Sequence, residues 1–294
     1  MQPSRPISKL LIAIVTLLVV AITVSKPLAH GLTELWWFAS LDLTQVFWTT
    51  LSWELLLWLV TFGIYTCFLW VNYRIALHET RHQPWRWLDD HSLEEVAEHL
   101  IQIGVIASIL VISAIAASTT APHWQILLQA LNATPMGQTD PILGQDISVY
   151  LFQLPLYDAF FRWLLGLGVT GFFISSLVYL LKGAIATQES GWRVEVRGLA
   201  KFHLSALLGG LFAIGAWGFW LARYHLLDSR RGLIFGVGYT DHYARLPAYS
   251  ILSILTAIVA IFWFVSLHRR KLTLPLRGVI GLAISVFILL TVYP

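Results

Sequence analysis

Seven apolar runs, each close to the roughly 20 residues a helix needs to cross bilayer hydrocarbon, constrain this chain more than any other feature. They cover residues 10–24, 55–71, 100–117, 163–181, 204–222, 248–267 and 274–292. A soluble domain carries about 25% charged residues, whereas this chain is 12% charged and 57% hydrophobic. It cannot cover itself with polar surface in water, so lipid is its expected solvent. In hydrocarbon every backbone polar group must be satisfied within its own segment, which leaves helices or closed barrels. Runs of this length predict helices. The fold class is therefore all-α, an integral membrane bundle of about seven transmembrane helices, forming a single domain over residues 1–294. The first run is short and follows Arg5 and Lys9, as in a signal peptide. The SKPLAH stretch after it lacks a good small-residue cleavage site, which favours an uncleaved anchor. In the last run, Pro275 and Arg277 move the apolar core towards Val279.

Basic residues in the loops predict orientation. With the N-terminus in the cytoplasm, thirteen of the 19 Lys and Arg residues fall on the cytoplasmic side and six outside. The expected orientation is thus N-terminus cytoplasmic and C-terminus outside. The net charge of +3 sits in short clusters between apolar runs, which suits membrane orientation and argues against nucleic acid as a partner. The 14 tryptophans fit the headgroup region, where indole rings are favoured. A single cysteine, Cys67, excludes an intramolecular disulfide.

Two longer polar stretches interrupt the runs, at residues 72–99 and 118–158. In the first, SLEE places Ser92 and Glu95 as a capping box for a helix entering the third run. In the second, HWQILLQALN at residues 123–132 predicts a short amphipathic helix lying on the outer membrane surface. The stretch 118–158 has no Lys or Arg and carries Asp140, Asp146 and Asp158, a formal charge of −3. Residues 223–245 carry Arg223, Arg230, Arg231 and Arg245 against Asp228 and Asp241, a formal charge of +2. Opposite charges on one face predict that the two loops touch, with an arginine bound to Asp140, Asp146 or Asp158.

Two segments in these loops carry a family resemblance. TDPILGQDISVYLFQLPLY (139–157) and RRGLIFGVGYTDHYARLPAY (230–249) resemble signatures of uncharacterised protein family 0182, a set of large bacterial multi-pass membrane proteins. WWF (36–38) and LNATP (131–135) are weaker matches, and the order and spacing of the pieces also agree. The resemblance implies the membrane bundle, set in a bacterial inner membrane, but no established activity. It also implies a large soluble region outside the membrane after the spans. That region is absent from these 294 residues, so the chain is expected to be the membrane half of a split or truncated protein.

Candidate chemistry is sparse. HETRH at residues 78–82 has the H-E-x-x-H spacing that sets two histidines on one helix face as zinc ligands. Pro84 follows at once and no third ligand is evident, so the bland reading prevails: His and Arg at a helix C-terminus, with no metal and no cofactor. Arg223, Arg230, Arg231 and Arg245 form a candidate contact for an anion or lipid phosphate, against the reading that they pair with neighbouring acids. GVGY at 236–239 lacks the context of a nucleotide loop and reads as a turn. The middles of the runs contain no ionisable residue. Glu54, Arg162 and His203 lie near the ends, within reach of the interface. Ser175 and Ser176 read as packing residues. No catalytic residue is assigned. The chain reads as a non-enzymatic membrane anchor or assembly module for a separately encoded extracytoplasmic domain, in contact with membrane lipids. A transporter or channel component, and an outer-face enzyme acting on phospholipid or a glycan carrier, are the alternatives.

Overall fold

The computed structural model describes residues 6–80, 91–187, 194–196, 198–229, 236–269 and 273–292. It divides into two compact units, Met1–Leu56 and Leu57–Pro294.

In the first unit, α1 (Pro6–Ser40) meets the start of α2 (Thr44–Glu79). At 35 residues α1 reaches well beyond the apolar run 10–24. A three-residue turn reverses the chain. Asp42 adopts φ 57, and Leu43 donates its N–H to the Phe38 carbonyl at 2.9 Å. Asp is one of the few residues that tolerate this left-handed conformation. The Phe38 and Phe47 rings pack 6.1 Å apart across the turn.

In the second unit, α2 continues with α3 (His91–Thr120), α4 (Trp124–Leu131), α5 (Leu154–Leu181), α6 (Ala200–Ala222), α7 (Leu246–Arg269) and α8 (Thr273–Phe287). Helix α3 runs unbroken into the third apolar run, as the SLEE segment predicts, and its first residue is His91. Six helical segments are long and apolar enough to cross a membrane, among the residues searched. Large apolar side chains such as Val111 and Ile115 on α3, Phe173 and Leu177 on α5, and Ile280 and Ile284 on α8 remain exposed. In water so much uncovered apolar surface would drive aggregation; facing acyl chains it is the expected exterior of a membrane bundle. The all-α class holds apart from one short antiparallel hairpin, β1 (Ile185–Thr187) with β2 (Val194–Val196), which pairs Ile185 with Val196.

Two apolar clusters hold this unit. Tyr65, Leu69 and Tyr73 of α2, Ile109 of α3 and Val178 and Tyr179 of α5 form the first. Leu252, Val259 and Trp263 of α7 with Leu282 of α8 form the second, against Leu208 and Phe212 of α6. Lipid tails are as apolar as leucine, so close backbone approach and interhelical hydrogen bonds matter more here than the hydrophobic effect. Tyr65 donates its hydroxyl to the Trp163 carbonyl at 2.9 Å, tying α2 to α5. Ser253 donates to the Ala216 carbonyl at 2.8 Å, tying α7 to α6. Gly171 lets α5 approach α2 so closely that a Cβ there would lie 2.6 Å from the Phe68 ring.

His203 does not reach out to an interface. Its Nε2 lies 2.8 Å from the Asn72 amide oxygen and its Nδ1 lies 2.9 Å from the Tyr179 hydroxyl. The Asn72 oxygen can only accept, so Nε2 carries the proton, and in the neutral ring Nδ1 accepts from Tyr179. Asn72 in turn donates to the Phe68 carbonyl at 2.7 Å, which completes a chain across α2, α5 and α6.

Candidate functional site

The most elaborate polar construction described in the second unit is built from residues 132–158, 223–229 and 236–245. After α3, Pro122 stands in a 3-10 turn (Ala121–His123), and His123 at ψ 9 breaks the helix before α4. The predicted short helix forms, eight residues or about 12 Å long, and packs against the start of α5.

The TDPILGQD segment then folds on its own carboxylates. Thr139 and Asp146 form an isolated antiparallel bridge, and Gly144 turns at φ 68. Asp140, 8% exposed, accepts the N–H groups of Ile142 at 2.7 Å and Leu143 at 2.9 Å and the hydroxyl of Tyr150 at 2.7 Å. Burial would raise its pKa, but the Tyr150 hydroxyl and the backbone amides outweigh burial and hold it below the ordinary value. Asp146 accepts the N–H of Ser148 at 2.8 Å as an N-cap, and those of Met136 at 3.0 Å and Gly137 at 2.8 Å. The Ser148 hydroxyl, then the Met136 and Ser148 amides, bring its pKa down to about 2.

The two loops meet, but among the described residues not through the expected arginine–aspartate bond. The joint is His225, whose Nε2 lies 2.8 Å from Asp158 Oδ1, with the Tyr150 and Tyr224 rings 6.0 Å apart. Arg245 pairs instead with Asp241, one turn back in its own segment, at 2.7 Å. Arg223 lays its guanidinium over Trp220, 3.9 Å from the ring centroid, and its buried Nε has no hydrogen-bond partner. Arg230 and Arg231 lie outside the described residues. Asp140 and Asp146 are bonded instead by amides of their own loop, with the Tyr150 hydroxyl also on Asp140. The four arginines are therefore not gathered into one site among the described residues. HETRH is only partly described: His78 and Glu79 end α2, while Arg81 and His82 lie outside. No group of three metal-capable side chains occurs among the described residues.

Two cavities flank the first turns of α5. One, of about 540 Å³, lies between α2, the end of α3, α4 and α5, and is lined mainly by apolar residues such as Leu57, Ile64, Ile126 and Phe160. The other, of about 590 Å³, is lined by Asp140, Tyr150, Asp158, Tyr224, His225 and Asp228. Arg162 lines both. In the sequence Asp158 stands out only as one acid of the first loop and Arg162 only as a charge near a span end. Their i,i+4 spacing in DAFFR, which sets them on one helix face, was the signal available. Nothing in the sequence pointed to His225 as the partner.

Residues 11–294 match a family described as an uncharacterised protein family, UPF0182. A UPF0182 protein of Trichodesmium erythraeum is 36% identical over 97% of this chain and 31% of its own length. A UPF0182 protein of Cupriavidus necator is 32% identical over 96% of this chain and 31% of its own. For one of Frankia casuarinae the figures are 32%, 99% and 29%. This chain thus spans less than a third of the length of these curated relatives. No solved structure matches it.

Proposed function

The chain belongs to uncharacterised protein family UPF0182, and from that premise we propose that it is the membrane module of a longer or two-part protein, a non-enzymatic bundle that anchors an extracytoplasmic partner domain. The observation that carries this reading is coverage: 97% of the chain aligns with 31% of a relative, and that portion is rich in apolar helices. The self-bonded loop 132–148 and its tie to α5 and the 3-10 turn Tyr224–Asp228 support it, since they offer a firm surface at one end of the bundle. We place that end outside the bacterial inner membrane, with the N-terminus in the cytoplasm, because thirteen of 19 basic residues then fall inside.

Reporter fusions after Val71, Ala117, Leu181, Ala222 and Leu267 are expected to alternate in location. Two neighbouring fusions on the same side would sink the topology. A soluble reporter joined at Pro294 should stay on the outer surface through an alkaline wash. Its release, or solute flux through vesicles holding the purified chain, would replace the anchor with the transporter reading.

One observation favours a second reading, an outer-face enzyme acting on phospholipid or a glycan carrier. A carboxylate-oriented imidazole, His225 with Asp158, lines a cavity beside Arg162, an arrangement suited to general-base activation of water at a phosphoryl group. Turnover of such a carrier by the purified chain, lost in His225→Ala, would promote it over the anchor.

A further inference from the structure

The geometry points to a binding site for one membrane phospholipid whose headgroup carries hydrogen-bond donors, hydroxyl or ammonium, with its phosphate on Arg162, an acyl chain in the apolar cavity and its head in the polar cavity. The inference does not depend on the anchor reading; it needs only this end of the bundle to sit at the bilayer surface.

Arg162 is exposed and has no acid within ion-pair distance among the described residues, although Asp158 stands one turn away. Among the described residues it is also the only Lys or Arg lining either cavity. A guanidinium left open at the rim of the hydrocarbon, weakly hydrated and shaped for two parallel hydrogen bonds, is a phosphate ligand by geometry and charge. Below it the cavity is apolar and open to the side: its wall residues Val60, Ile64 and Phe160 keep 47%, 43% and 49% of their surface uncovered. A chain can therefore enter from the bilayer. The volume of about 540 Å³ lies in the range of ordinary ligand sites.

The polar cavity selects the head. Asp140 is occupied by Tyr150 and two amides, but among the described residues Asp228 has no partner and Asp158 is bonded through Oδ1 alone. Carboxylate oxygens only accept. Beside a bound phosphate they repel a bare anion and favour a head that brings donors between the two charges. Glycerol and ethanolamine heads have such donors. Choline has none, and phosphatidic acid has no head beyond the phosphate.

The test uses the purified full chain in detergent, with native mass spectrometry or radiolabelled lipid counting molecules retained per chain. Phosphatidylglycerol and phosphatidylethanolamine are offered against phosphatidylcholine and phosphatidic acid, and comparing the first two shows which donor is used. The expected result is about one donor-headed lipid per chain and roughly tenfold or greater weakening in Arg162→Ala. Arg277→Ala on α8 should retain binding. Because Arg162→Ala could disturb folding, Asp228→Asn, at an exposed residue, provides a second arm: it should keep the lipid but narrow the preference over phosphatidylcholine. Unchanged retention in a folded Arg162→Ala, or equal retention of phosphatidylcholine or phosphatidic acid by the unaltered chain, overturns the proposal.

Discussion

Asp140→Ala is expected to lower the apparent melting temperature of the purified protein by roughly 6–15 °C. Three donors converge on this carboxylate within 2.9 Å: the Ile142 and Leu143 amides and the Tyr150 hydroxyl. Hydrogen bonds to an ionised group contribute about 1.5–3 kcal/mol each, and clustered losses add incompletely, so the change should cost roughly 3–4 kcal/mol. Tyr150 is part of the π-helical turn Val149–Gln153 that leads into α5, so the loss is transmitted to the helix that carries Asp158 and Arg162. Asp140→Asn keeps one acceptor oxygen and should recover less than half of the loss. Amide exchange at Ile142 and Leu143 is the local check, and protection equal to that of the unaltered protein would remove Asp140 as the organiser of the loop. The same bonds set a pH dependence. Both Asp140 and Asp146 have folded pKa values below the ordinary one, so their stabilisation is fully present above about pH 4. It is lost as pH falls towards about 2, where Asp146 protonates in the folded state. Loosening of loop 132–148 between those values, reversible on returning to neutral pH, is the expected result.

The second large effect lies inside the bundle. Gly171→Ala should destabilise by roughly 1–3 kcal/mol, and Gly171→Leu by roughly 3–5 kcal/mol. A Cβ at Gly171 would stand 2.6 Å from one carbon of the Phe68 ring and 3.4 Å and 3.5 Å from two more. The ring is partly buried and packed against the cluster of Tyr65, Leu69 and Tyr179, which resists its displacement. Helix α5 must then move off α2, which weakens the Tyr65–Trp163 hydrogen bond and opens the first cluster. Gly104 on α3 is the control: a Cβ there meets nothing within 4 Å, so Gly104→Ala should stay within about 1 kcal/mol of the original. Equilibrium unfolding in mixed micelles measures both. If Gly171→Ala proves no more costly than Gly104→Ala, the close approach of α2 and α5 is wrong.

Sequence alone determined the class of fold, because transfer of a segment into lipid is a sum over consecutive residues and needs no knowledge of neighbours. Residues 204–222, apolar enough to span, lie within α6, Ala200–Ala222. The same sum underestimates helices that continue into polar surroundings: the run 163–181 belongs to α5, which begins at Leu154 and includes the DAFFR turn. Hydropathy reports the part matched to hydrocarbon, whereas the backbone stays helical wherever its hydrogen bonds can be completed. The opposite charges of the two loops were also legible, and the loops do meet.

Pairwise choices depended on the tertiary structure. Asp140 and Asp146 were spent on amides that a turn brought to them, Arg245 found Asp241 one helical turn away, and the contact between loops fell to His225 and Asp158. Each outcome depends on rotations and offsets of a few ångströms that summed hydropathy and net charge do not contain. Arg162 is the clearest case. In sequence it was a charge near the end of a span, and only the packing of α2, α3 and α4 around α5 set it between an apolar and a polar cavity.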